Sequence, residues 1–193
     1  STLLLKAARD AYGMDAQAIY VRSLLQKPRV LERVRQTCQQ LDCSLKIIDV
    51  NPLSWPDFAA NDDLRCYHCK KNIYSYLTSL LPSEYNLLDG TNLDDLGEHR
   101  PGLGAVRELG VLTPLAGVSL TKREIRLLCR QFQLDCWNLP SESCLATRIA
   151  GGVAITPQLL HDVACGENFL ETKGFFGCRA RLDGRSVFIT LSH

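Results

Sequence analysis

The sequence has no surplus of charge of either sign. Its 22 lysines and arginines are matched by 21 aspartates and glutamates, for a formal net charge of +1 at pH 7. That balance excludes a global pull towards nucleic acid or anionic lipid and leaves room only for a local basic patch. No apolar run approaches the ~18–20 residues that a membrane span requires. Ser1 to Leu5 has neither the basic region nor the cleavage site of a signal peptide. There is no internal repeat and no low-complexity stretch. There is also no second Cys-x-x-Cys, so a four-cysteine zinc site would have to recruit scattered partners.

What the chain does have is cysteine. Nine is a high and odd count for 193 residues. A secreted disulfide framework favours even pairing in a smaller chain, so the reading is a reducing cytoplasmic compartment with free thiols. Cys38, Cys43, Cys129, Cys136, Cys165 and Cys178 are expected to be small buried hydrophobes. The composition, 46% hydrophobic and 22% charged, suits a soluble globular protein long enough for one domain, or one domain and a small appendage.

The hydrophobic pattern predicts a helix over residues 1–12, capped by Ser1 or Thr2 and ended by Gly13. A strand follows at Ala16–Leu24, then a helix opened by Pro28 and a second strand at Ser44–Val50. Helix and strand alternate with short connections, the signature of a parallel sheet with crossover helices. Residues 51–63 read as loop, and a helix starts near Arg65. Short strands are expected at Tyr85–Asp89 and Val111–Leu115. Further helices are expected over 103–109, from the capping-box spacing at Thr121 to Phe132, and from Thr156-Pro157 to Gly174. A hairpin turning at Asp183-Gly184 closes the chain. The fold class is α/β: a nucleotide-binding parallel sheet over residues 1–140, and a smaller α+β domain over 141–193.

Four segments carry chemistry. Cys66 and Cys69 lie three residues apart in the first turn of a helix, with both sulfurs on one face. The helix N-terminus should lower both thiol pKa values, which suits metal binding or redox chemistry. The alternative is a buried pair on the apolar stripe. Cys144, in a serine-rich loop ahead of Arg148, is either an accessible, acidic thiol or an ordinary loop cysteine. Leu88 to Asp95 follows a strand, where open α/β sheets bind ligands; Asn92 and Asp95 offer polar groups, and Arg100 can hold phosphate bidentately. The alternative is a solvated turn. Arg179 and Arg181 share one strand face and form either an anion site or a charge-protected edge.

Together, Asn61-Asp62-Asp63-Leu64-Arg65-Cys66-Tyr67-His68-Cys69-Lys70, Leu88-Asp89-Gly90-Thr91-Asn92-Leu93-Asp94-Asp95 with Arg100-Pro101-Gly102, and Ser143-Cys144-Leu145-Ala146-Thr147-Arg148-Ile149 resemble the ATP-dependent sacrificial sulfur transferases called LarE, over nearly the whole chain. These belong to the PP-loop pyrophosphatase superfamily of adenine nucleotide alpha hydrolase-like folds. The resemblance implies an enzyme of nickel-pincer nucleotide (lactate racemase cofactor) biosynthesis. ATP with Mg2+ adenylates a carboxylate of a pyridinium biscarboxylate mononucleotide, a cysteine thiolate attacks, and the sulfur stays as a thiocarboxylate. By match, Cys144 is the catalytic cysteine. In the three-cysteine type, Cys66, Cys69 and Cys144 hold a [4Fe–4S] cluster that donates an extra sulfide instead. Ser1, Asn92, Asp95 and Arg100 fall to the ATP site, and Arg148, Arg179 and Arg181 to the substrate phosphate. The implied partners are a small nucleotide substrate and further copies of the chain in a homo-oligomer, with no membrane and with nucleic acid disfavoured.

The chain departs from that family at both ends. The Ser-Gly-Gly-x-Asp-Ser loop and the strand before it are missing, and Ser1 matches the last serine of the loop. His193 stands where family members continue. The expectation is therefore a chain truncated at both ends that binds ATP weakly. The alternatives are a tRNA-thiolation enzyme of the same superfamily and a non-catalytic remnant.

Overall fold

The computed structural model describes residues 2–183 and 186–190. The first helix, α1 (Thr2–Tyr12), runs into a 3-10 turn at Gly13–Asp15. Gly13 takes φ +57°, a conformation that glycine enters at little cost. Strand β1 (Gln17–Arg22) leads to α2 (Pro28–Gln40), which has proline in its first turn. Strand β2 (Ser44–Asp49) pairs parallel with β1, in register from Gln17 opposite Ser44 to Arg22 opposite Asp49. The parallel pair with its crossover helix is the arrangement the sequence predicts.

The predicted continuation of that sheet is cut short. The segments expected as strands at 85–89 and 111–115 meet only in one parallel bridge between Leu88 and Leu112. Two local signals end the pairing. The Asp89 carboxylate accepts from the Thr91 backbone N–H at 2.8 Å and turns the chain. Pro114 opens α7 (Pro114–Gly117) two residues after Leu112. The stretch read as loop at 51–63 also holds a 3-10 turn at Pro52–Ser54, capped by the Asn51 side chain, and the single-turn α3 (Pro56–Ala59).

Helix α4 (Arg65–Leu80) carries the cysteine pair, and α5 (Leu93–Gly97) and α6 (Gly102–Glu108) follow it. Gly102 starts α6 against α4. A Cβ there would stand 3.1 Å from Lys70 Cδ and 3.2 Å from the Cys66 carbonyl oxygen. Helix α8 (Lys122–Gln131) begins at the predicted capping box: Glu124 accepts from the Thr121 backbone N–H at 2.8 Å, and Thr121 Oγ1 accepts in return from the Glu124 backbone N–H. Helix α9 (Pro157–Thr172) is capped by Thr156, whose hydroxyl accepts from the Leu159 N–H. Strands β3 (Arg179–Leu182) and β4 (Val187–Thr190) form the predicted antiparallel pair; the Gly184 part of its turn lies outside the described residues.

One core cluster joins Leu25 and Phe58 to Leu145, Ala146, Ile149, Ile155, Leu160 and Val163. It spans both sides of residue 140, so the 144–163 segment packs directly on the first half of the chain. A second cluster sets Leu3 and Leu4 of α1 against Leu115, Ile125, Cys129 and Leu134. No helix among the described residues is long and apolar enough to cross a membrane.

Candidate functional site

The first core cluster brings the three distant thiols to one place. Cys69, from the first turn of α4, and Cys144, from the loop before a 3-10 turn at Leu145–Arg148, both pack on it. Cys66 sits one turn away and is exposed. Each of the three thiols lies within electrostatic reach of the other two.

Two side chains fasten the cysteine helix to the Cys144 segment. Asn61 is fully buried with φ +55°, and its Nδ2 donates to the carbonyls of Ala150 and Val153, each at 2.7 Å. Arg65 donates to Asn61 Oδ1 and, at 3.0 Å, to the Ala146 carbonyl, while its other amino group stands 3.7 Å from Cys66 Sγ.

Cys69 and Cys144 are less acidic than their sequence positions suggest. Burial pushes Cys69 up to about 12; the charges of Cys144 and Cys66 add to that, and Arg65 and Lys70 offset it only in part. Burial likewise raises the Cys144 thiol, against backbone hydrogen bonds at Ala146 and Thr147 and the charge of Arg65. The expected lowering at the helix N-terminus is overridden. A helix end is worth about 0.3–1 kcal/mol, whereas desolvation can move a pKa by ~3 units or more. Cys144 is also half-buried rather than open to solvent.

Among the described residues, no group of three or more His, Cys, Asp or Glu side chains is arranged to hold a metal ion. A single ion needs its thiolate ligands about 2.3 Å from one point. A cubane takes one thiolate on each iron, so its ligands stand farther apart. The donor chemistry of three neighbouring cysteines suits an iron–sulfur cluster, and their present spacing makes no mononuclear site.

Behind the thiols, Lys70 of α4 pairs with Asp89 at 3.1 Å. Tyr74 and Thr91 also donate to this carboxylate. Burial alone would raise Asp89, but the charge of Lys70 and the hydrogen bonds from Thr91, Tyr74 and Lys70 outweigh it and hold the carboxyl at about 2. Burial and the Asp89 charge push the Tyr74 hydroxyl up.

The remaining expected site residues are dispersed. Asn92 and Asp95 form a capping box at the start of α5, with Asn92 Oδ1 accepting from the Asp94 and Asp95 amides. Arg100 pairs with Asp95 at 2.8 Å and with Glu98 at 2.9 Å. Arg148 is buried and donates to Glu167 at 2.7 Å and to Ser143 Oγ at 2.5 Å. Glu167, also buried, pairs with Lys27 at 2.9 Å. Arg179 and Arg181 flank the buried Ala180 on β3 and make no ion pair among the described residues. Ser1 lies outside the described residues. Of the six cysteines expected to be buried, Cys38, Cys43, Cys129 and Cys178 are, but Cys136 is half-exposed and Cys165 is exposed, with its sulfur 3.3 Å from His161 Nε2. Cys165 falls off the apolar stripe of α9, whereas Cys136 lies in the turn after α8 and packs partly buried against the second core cluster.

Sequence reasoning assigned no role to Asn61, Arg65, Lys70, Lys27 or Glu167. One signal was available for Glu167: it follows Leu160 and Val163 at helical spacing, so a carboxylate stands on the apolar face of α9.

No protein-family model matches the chain. It is 34% identical over 193 residues to the uncharacterized protein slr1717 of Synechocystis, covering 99% of this chain and 72% of that one. It is 27% identical over 184 residues to the pyridinium-3,5-bisthiocarboxylic acid mononucleotide synthase of Lactiplantibacillus plantarum, covering 94% of this chain and 67% of the synthase. With the uncharacterized protein MJ0830 of Methanocaldococcus jannaschii it shares 32% identity over 136 residues, 69% of this chain and 51% of that one. The chain belongs to the family of slr1717, and its likeness to the synthase, a LarE protein, supports placing it with the LarE sulfur transferases.

Proposed function

We propose that this chain is a sulfur transferase of nickel-pincer cofactor synthesis. It would use ATP to adenylate a carboxylate of a pyridinium mononucleotide and convert it to a thiocarboxylate. The observation that carries this reading is the gathering of Cys66, Cys69 and Cys144 around Arg65, on a chain whose homologue is a bisthiocarboxylic acid mononucleotide synthase.

In the sacrificial form, the Cys144 thiol loses its proton and attacks the acyl adenylate. A carbon–sulfur bond forms and AMP leaves with the electron pair of the broken acyl–oxygen bond. A base then takes the Cα proton of Cys144, that electron pair becomes the Cα=Cβ bond, and the Cβ–S bond breaks. The thiocarboxylate departs with the sulfur, and dehydroalanine remains in the chain. Arg65 favours the thiolate at the first step because its charge acts on Cys144 and lowers the thiol pKa. A pyridinium ring entering beside the thiols would act in the same direction.

A second reading is favoured by one fact: a sacrificial cysteine needs no companions, and Cys144 has two. In that form Cys66, Cys69 and Cys144 would hold a [4Fe–4S] cluster, which would supply sulfide that does not come from the chain. In either form, Arg179 and Arg181, free of ion pairs among the described residues, and the outer donors of Arg148 would receive the substrate phosphate. Asn92, Asp95 and Arg100 would border the ATP with its Mg2+.

The test is anaerobic incubation with MgATP and the pyridinium biscarboxylate mononucleotide, read by mass spectrometry of product and protein. The sacrificial form predicts thiocarboxylate, AMP and pyrophosphate, with Cys144 lighter by the mass of one hydrogen sulfide molecule. The cluster form predicts product with Cys144 intact, only after reconstitution with iron and sulfide. No product under either condition, or undiminished product with Cys144→Ala, contradicts the proposal.

A further inference from the structure

Away from the thiols, one groove of about 570 Å³ gathers four cations, with Leu127, Trp137 and Asn138 completing its lining. It runs along α8 and is lined by Lys122, Arg123, Arg126 and Arg130, with Trp137 beside them. At about 100° per residue these four cations fall on one stripe of the helix, next to the face that Ile125 and Cys129 bury. None of the four makes an ion pair among the described residues.

The nearby carboxylates are occupied elsewhere. Asp94 accepts from the Lys122 backbone N–H at 2.8 Å, and Glu124 is used up in the capping box. Asp135 lines a different groove with Gln36 and Gln40. Like charges at i, i+4 oppose the helix that carries them, so the spacing of the stripe adds no stability of its own and fits an anionic ligand.

Parts of the groove are held in position. Arg126 donates to the Leu139 carbonyl at 2.9 Å, and the Arg130 guanidinium lies 5.1 Å from the centre of the Trp137 ring. A guanidinium placed over an indole keeps N–H groups available for phosphate. Lys122, Arg126 and Arg130 follow one another at four-residue steps, about 6 Å of helix each. The groove is open along its length, whereas small-molecule sites enclose most of their ligand.

We propose that the α8 groove binds single-stranded nucleic acid. The cations would meet successive phosphates, and the partly exposed indole of Trp137 would stack a base. An acidic peptide would satisfy the charges but would make no use of the exposed part of the indole. The near-zero net charge of the chain does not count against this, because the asymmetry is local. The inference stands on α8 and Trp137 alone and does not rest on sulfur transfer.

The experiment is fluorescence anisotropy of the whole chain with a labelled oligouridine, titrated with salt. Saturable binding is expected at about 50 mM salt, with a slope of about −3 in log K against log salt, since each contacted phosphate of a single strand contributes about 0.7. Arg123→Gln with Arg130→Gln should weaken binding at least about tenfold and make the slope shallower by about 1.4. Both side chains are exposed and hold no backbone group, so folding is preserved and circular dichroism checks it. Trp137→Leu should weaken binding several-fold with the slope unchanged. The proposal is overturned by absent saturable binding, by full affinity in the double variant or in Trp137→Leu, or by a polyglutamate of equal charge competing as well as the oligonucleotide.

Discussion

Arg65 donates to the Ala146 carbonyl at 3.0 Å, and that bond joins the helix of Cys66 and Cys69 to the turn that follows Cys144. The same guanidinium is the positive charge felt by both Cys69 and Cys144. One side chain therefore sets both the position of the thiols and part of their acidity.

Replacing that charge should quieten the thiols further. In Arg65→Ala the Cys144 pKa rises, so alkylation by iodoacetamide at neutral pH slows by roughly tenfold per unit of added shift. Arg65→Lys keeps a charge and should recover part of the rate. Site-resolved mass spectrometry across pH reads both, and an unchanged rate in Arg65→Ala would remove Arg65 from any role at the sulfur.

Asn61→Ala takes the side-chain donor from the Val153 carbonyl, leaves the Ala150 carbonyl with only the Val153 N–H, and places alanine at φ +55°. An orphaned group costs about 1–3 kcal/mol and the left-handed backbone adds to it, so the urea midpoint should fall by an amount worth roughly 2 kcal/mol or more. A shift below about 1 kcal/mol would show that water or a rearranged loop replaces the amide.

The buried pair of Arg148 and Glu167 gives a different pattern. Glu167→Leu strands Arg148, leaves Lys27 with Glu171 alone, and should cost about 3–5 kcal/mol. Adding Arg148→Met to that change should return part of the loss, because the pair is removed as a unit. A double-mutant cycle in denaturant measures the coupling, and simple additivity would contradict a direct interaction.

Asp89 ties stability to acid. Its folded pKa of about 2 lies below the ordinary carboxyl value of about 3.9. A depressed group contributes stability that is full above the unfolded value and is lost as pH falls through the folded one. The stabilisation, roughly 2 kcal/mol, should therefore disappear between about pH 4 and pH 2. Asp89→Asn should be less stable at neutral pH and show a flatter profile across that window; parallel profiles for the two proteins would count against the Lys70 partnership.

Local pattern carried much of the fold. Proline in the first turn of α2, the Thr121–Glu124 box and the Thr156–Pro157 start of α9 all rest on signals within four residues, and each appears where the sequence places it. Features that depend on distant partners were not legible. The short strands near Leu88 and Leu112 shrink to one bridge because a side-chain turn and a proline intervene. The pKa direction of Cys69 was misjudged because spacing shows a helix end but not the core cluster packed against it. Asn61 and Arg65 stand within the segment that carried the resemblance, yet their work is done on carbonyls more than eighty residues away.

The hydrogen atom at Gly102 has a bearing on how this protein can vary. The backbone of one helix there meets the Lys70 side chain and the Cys66 carbonyl of the other. The thiol-bearing turn is thereby stopped like a rod against a wall, and its place along the axis is fixed by contact rather than by loop length. Insertions in the exposed stretch 82–86 can lengthen the connection without moving the sulfur, whereas a methyl group at 102 presses on the Lys70 side chain and the Cys66 carbonyl, and one of them must give.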